Sequence, residues 1–132
     1  MNQKNPTIVF VCEHGAAKSI IAAAYFNKLA QEANLEVRAI ARGTHPDSEL
    51  SPKAITGLGH DGLTPTELAP QKLSLTDIES AKKVITFCEL PAEYQSKVSV
   101  EQWDGVPPVS EGYQKARDSI LERTSHLIKG VR

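Results

Sequence analysis

Apolar and polar positions follow two different periods along the chain. Thr7–Val11 is a short, continuous, β-branched apolar run, the pattern of a buried strand, and it closes near Cys12. After a loop of small and polar residues, Ser19–Ala33 switches to a helical period. Ile21, Ala22, Tyr25, Phe26 and Leu29 share one face, and Ala22–Ala24 allow close approach to a sheet. Leu35–Ala41 reads as a second strand. Ser51 followed by Pro52 marks a helix start, with Ala54, Ile55 and Leu58 inward and a stop near Gly59. Ser74 and Asp77 form a candidate capping box for a short helix to about Ala81. Lys83–Cys88 is a third strand, Glu89–Lys97 a loop or short helix, and Val98–Trp103 a weak fourth strand. Two adjacent prolines make Asp104–Val109 a loop. Ser110 is expected to cap a last helix that buries Tyr113, Ala116, Ile120, Leu121, Leu127 and Ile128 and ends at Gly130. Residues 1–6 are a polar tail.

Strands alternating with helices predict parallel βαβ units, hence an α/β domain with right-handed crossovers. The 132 residues suffice for one domain over 1–132 and not for two. A net charge of −1 argues against a nucleic-acid or membrane-surface partner. No apolar run approaches the roughly 18 residues of a membrane span, and MNQKNPT lacks an apolar signal segment, so a cytoplasmic location is expected. Two cysteines then read as free or redox thiols rather than a structural bridge. No Cys/His cluster has zinc spacing, and neither a metal nor another cofactor is expected.

The candidate chemistry lies in Cys12–Ser19, CEHGAAKS, between the first strand and the first helix. A helix N-terminus offers free N–H groups and a positive dipole end, which together bind anions. A cysteine facing that end near a lysine favours the nucleophilic thiolate. Gly15 takes positive φ without steric cost, Ala16 and Ala17 let amides turn inward as an anion nest, and Ser19 is within reach of the sulfur. The expected site is a nucleophilic Cys12 beneath a cradle for a tetrahedral oxyanion, built by Glu13, His14, Gly15, Ala16, Ala17, Lys18 and Ser19.

This loop resembles the phosphate loop of the low-molecular-weight protein tyrosine phosphatases and the thioredoxin-coupled arsenate reductases. The resemblance extends over nearly the whole chain, including Arg42-Gly43-Thr44 and Gly62-Leu63, but is sharpest in the loop. It implies a four-stranded parallel sheet in order 2-1-3-4 with helices on both faces, and Cys12 at the point where the strand order reverses. It implies that Cys12 attacks phosphorus and that the amides hold the equatorial oxygens. Phosphate, arsenate or a phosphomonoester is then the ligand, with a thiol reductant in the reductase case.

Two departures bear on the chemistry. The family arginine is Lys18 here, a point charge in place of a two-pronged fork. Arg42 reads as a solvated loop charge, with partial compensation for that arginine as the alternative. The family's general-acid aspartate falls on Pro107, so Asp104 is the expected replacement, then Glu111, with His14 inside the cradle also able to donate. Cys88, at the end of strand three, is either a buried strand-end thiol or the partner of Cys12 in a disulfide; the reductases' third cysteine is missing. Three functions follow: a cysteine-dependent phosphatase, an arsenate reductase, or an oxyanion-binding module without catalysis. The first is the leading expectation.

Overall fold

A computed structural model describes residues 7–94 and 100–131. The polar tail at 1–6, the end of the predicted 89–97 segment, and Val98 and Ser99 of the predicted fourth strand lie outside the described residues. The elements are β1 (Thr7–Cys12), α1 (Lys18–Glu32), β2 (Arg38–Gly43), α2 (Pro52–His60), α3 (Leu75–Ser80), β3 (Ala81–Thr86), β4 (Val100–Gln102) and α4 (Tyr113–Val131), with 3-10 turns at Ala92–Tyr94 and Val109–Glu111. The four strands are parallel in the order β2-β1-β3-β4.

β1 is central, which explains its unbroken apolar run. Alternate side chains enter different cores: Ile8 and Phe10 pack with α1, α2 and α4 residues on one face, while Val9 and Val11 pack with Leu73, Ile78, Leu90 and Tyr94 on the other. Helices therefore cover both faces. Trp103, just beyond β4, closes the larger core with its ring 5.5 Å from Phe10 and 5.7 Å from Phe87. α1 lies deeper than one stripe predicts: Ser19 through Phe26 are all buried, because the helix packs on the sheet and also on α2 and α4.

The structure corrects several boundaries. β2 begins at Arg38, not Leu35, because Leu35 N–H closes back on the Ala30 carbonyl at 2.8 Å after Asn34 turns left-handed. It then runs on through Arg42 and Gly43, past the strand end expected at Ala41. α2 starts as predicted, with Ser51 Oγ accepting from Ala54 N–H, but Ile55 points outward. Gly57 takes the inward place, against the Tyr113 ring. β3 stops at Thr86, whose hydroxyl accepts from Cys88 N–H and donates to the Cys88 carbonyl, turning the chain out of the ladder. Ser110 sits in a 3-10 turn and caps nothing; Gly112 (φ 150°) breaks that turn, and α4 starts at Tyr113 and continues past Gly130. The Ser74–Asp77 capping box is present in both directions.

Candidate active site

β1 ends at Cys12, and the next five residues form the loop that enters α1. Ala17 occupies the N-cap position and supplies no side-chain cap, so the first helical amides keep no intrahelical partner. The loop carbonyls are tied down from one side. Those of Cys12, Glu13, His14 and Ala16 accept from the N–H groups of Thr44, His45, Asp47 and Ser51 at 3.2, 2.7, 3.0 and 2.9 Å. The Ala17 carbonyl accepts from Ile21 in the helix. Among the described residues, no amide from Glu13 to Ile20 donates to a protein acceptor. With one polar edge of the loop fixed and the other free, the loop is an array of anion donors.

Gly15 adopts φ +62° as expected. Its neighbour Gly43, marked in the sequence only as part of Arg42-Gly43-Thr44, is equally required. A Cβ on Gly43 would lie 2.7 Å from Gly15 N, and one on Gly15 would lie 2.9 Å from Gly43 N.

Cys12 is buried, and its sulfur lies 3.0 Å from the oxygen of the fully buried Ser19 hydroxyl. Lys18 is half-buried on the cleft wall and has no carboxylate within ion-pairing distance among the described residues. Arg42 departs from both of its expected roles. It is neither solvated nor part of the cradle: its guanidinium meets Asp77 at 3.0 Å and Glu67 at 3.4 Å, with 18 % of the side chain exposed. Asp77 thus caps α3 and holds Arg42 with the same oxygen.

The cleft above Cys12 has a volume of about 920 Å³. Leu50, Pro52, Phe87, Pro108 and Val109 give it apolar walls, and Glu13, His14 and Asp47 stand at its rim. His14 Nδ1 lies 3.2 Å from Asp47 Oδ1, a contact the sequence reading missed because its partners lie far apart in the chain. The cleft lining does not include Asp104, which is exposed, with its carbonyl accepting from Arg123, nor Glu111, which is exposed in the 3-10 turn. Cys88 does line it, just past the end of the strand next to β1. Burial pushes the Cys88 thiol above its ordinary pKa and the nearby Cys12 adds to this, against the Thr86 hydroxyl, which lowers it.

A curated protein of Halobacterium salinarum, named a putative arsenate reductase, is 28 % identical over 127 residues, covering 89 % of this chain and 87 % of its own. The crystal structure of YfkJ from Bacillus subtilis superposes with a TM-score of 0.85 at 15 % identity, covering 99 % of this chain and 97 % of that one. The thioredoxin-dependent arsenate reductase of Corynebacterium glutamicum gives 0.75 at 25 % identity, covering 99 % of this chain and 64 % of that one. The family described as low molecular weight phosphotyrosine protein phosphatase matches residues 7–131. A cysteine-led loop between the first strand and the first helix, a 2-1-3-4 parallel sheet and a family match over residues 7–131 agree: the chain belongs to the low molecular weight phosphotyrosine protein phosphatase family.

Proposed function

We propose that the protein is a phosphatase that hydrolyses phosphomonoesters through a phosphocysteine on Cys12. The observation that carries this reading is the buried Cys12 sulfur, 3.0 Å from the Ser19 hydroxyl, at the base of a loop whose amides 13–20 have no protein acceptor among the described residues. Such donors stabilise the charge spread over the three equatorial oxygens in phosphoryl transfer. Lys18 adds a positive charge that no described carboxylate neutralises. A cleft of about 920 Å³ with apolar walls suits an organic leaving group better than a bare inorganic oxyanion. The sulfur displaces the alcohol, and water then releases phosphate from sulfur. Hydrolysis of aryl phosphates by the wild type, abolished in Cys12→Ser, is the expected result; turnover that survives in Cys12→Ser overturns the reading.

A second reading, arsenate reduction, is favoured by Cys88 lining the same cleft as Cys12. Cys12 would displace water from arsenate, and Cys88 would attack the Cys12 sulfur. The S–As electron pair would leave on arsenic as arsenite, and an external thiol would reduce the Cys12–Cys88 disulfide. Thiol-dependent release of arsenite, lost in Cys88→Ser, supports it. A soluble protein without either activity but with phosphate binding identifies an oxyanion-binding module.

A further inference from the structure

We propose that His14 is the acid–base residue of this site and that Asp47 is its positioning residue. The proposal rests on the phosphatase reading above and names the group that reading leaves open. Displacement at phosphorus is in line, so the leaving oxygen departs on the side away from the Cys12 sulfur, towards the cleft mouth. An alkoxide or phenoxide leaving there needs a proton.

His14 stands at that mouth. It is part of the loop itself, lines the cleft, and keeps 57 % of its side chain exposed. Imidazole is the side chain that ordinarily titrates near neutral pH, which suits it to give a proton in one step and take it back in the next. The two lysines of the cleft do not serve both steps. The Lys53 ammonium donates to the Ser110 carbonyl at 2.8 Å. Lys18 has no acceptor role because an ammonium offers only donors.

The ring is also held. Asp47 is attached to His14 twice: its N–H donates to the His14 carbonyl at 3.0 Å, and its carboxylate reaches His14 Nδ1 at 3.2 Å. That leaves Nε2 as the exchanging atom; among the described residues Glu13 is the other carboxylate in ion-pairing reach of the ring, 3.9 Å away, and Lys18, Glu49 and Lys53 share the cleft lining. In the first step the sulfur–phosphorus bond forms, the phosphorus–oxygen ester bond breaks, and the imidazolium Nε2–H passes to the leaving oxygen. In the second, water attacks the phosphocysteine, neutral Nε2 takes its proton, and phosphate and the Cys12 thiolate separate.

The test is leaving-group dependence. The kcat/KM for phenyl phosphate and for 2,4-dinitrophenyl phosphate, which reports the steps up to the phosphocysteine and not its hydrolysis, is measured with wild type, His14→Gln and Asp47→Asn. The dinitrophenolate hardly needs protonation, whereas phenolate does. His14→Gln is expected to lower the phenyl-to-dinitrophenyl ratio of kcat/KM by about 10²-fold and to remove the alkaline limb of the phenyl phosphate pH profile. Asp47→Asn is expected to lower the same ratio by a smaller factor through kcat, with KM kept. An unchanged ratio in His14→Gln, whether both esters slow together or neither slows, overturns the proposal. A wild type that hydrolyses neither ester overturns the phosphatase reading first, before any variant is compared.

Discussion

Gly15 and Gly43 abut through their backbones, the first in the loop after β1 and the second at the end of β2, so that a side chain on either would overlap main-chain atoms of the other. The contact sets the loop against the neighbouring strand. A backbone obstacle cannot swing aside as a flexible side chain does. Gly43→Ala is therefore expected to destabilise the fold by about 1–3 kcal/mol and to weaken phosphate binding. Gly15→Ala is expected to cost roughly 1–2 kcal/mol more, for its left-handed φ. Urea unfolding and phosphate titration of the two variants check this.

Lys18 and Arg42 are expected to separate binding from stability. Lys18→Ala removes a cleft cation that has no ion-pair partner among the described residues, so phosphate inhibition is expected to weaken by about ten-fold or more, while Lys18→Arg tightens it by restoring a planar fork. Arg42→Ala instead leaves Glu67 and Asp77 without their shared cation, at 15 % and 16 % exposure, and is expected to cost about 2 kcal/mol of stability with the phosphate inhibition constant unchanged. Inhibition constants and unfolding midpoints of the three variants distinguish the roles.

Ser19→Ala removes the hydroxyl next to the Cys12 sulfur. A hydrogen bond to a charged group contributes about 1.5–3 kcal/mol. The expected loss in kcat is therefore about ten- to a hundred-fold, with phosphate binding kept, read from steady-state aryl phosphate hydrolysis.

Asp61 links α1, α2 and α4. It accepts from Tyr25 at 2.5 Å, from Tyr113 at 2.7 Å and from Arg117 at 3.0 Å. Burial alone would raise its pKa, but these three donors outweigh burial and hold it below the usual carboxylate range. A depressed folded-state pKa contributes stability that is complete above the unfolded-state pKa and is lost as pH falls through the folded one. Asp61→Asn is thus expected to be less stable than wild type by about 2 kcal/mol at pH 7, with the gap closing below about pH 4. Denaturant unfolding at both pH values gives the comparison.

What was legible in the sequence was what local chemistry decides. The loop Cys12–Ser19 carries its own signals, and so do the Ser51-Pro52 helix start and the Ser74–Asp77 box. Alternating elements gave the parallel sheet, and the loop's resemblance to a known family supplied its strand order. What escaped depends on residues distant in the chain. Arg42 looked solvated because its partners, Glu67 and Asp77, belong to segments far beyond β2. The need for glycine at position 43 escaped because the neighbour that imposes it, Gly15, is distant in the chain. Asp104 fell in the expected loop, yet that loop presents Pro108, Val109 and Ser110 to the cleft instead. Ser110 had the identity of a cap, but Gly112 interrupts the chain before α4 begins.

The segment from Thr44 to Ser51 grips the loop mainly through its own peptide N–H groups. Main-chain attachments are indifferent to most side-chain exchanges. The same stretch places Asp47 and Leu50 in the cleft lining. It therefore carries two separable duties, scaffolding through its peptides and selection through its side chains. An exchange at Leu50 is thus expected to reshape the cleft wall while the peptide attachments that hold the loop stay in place.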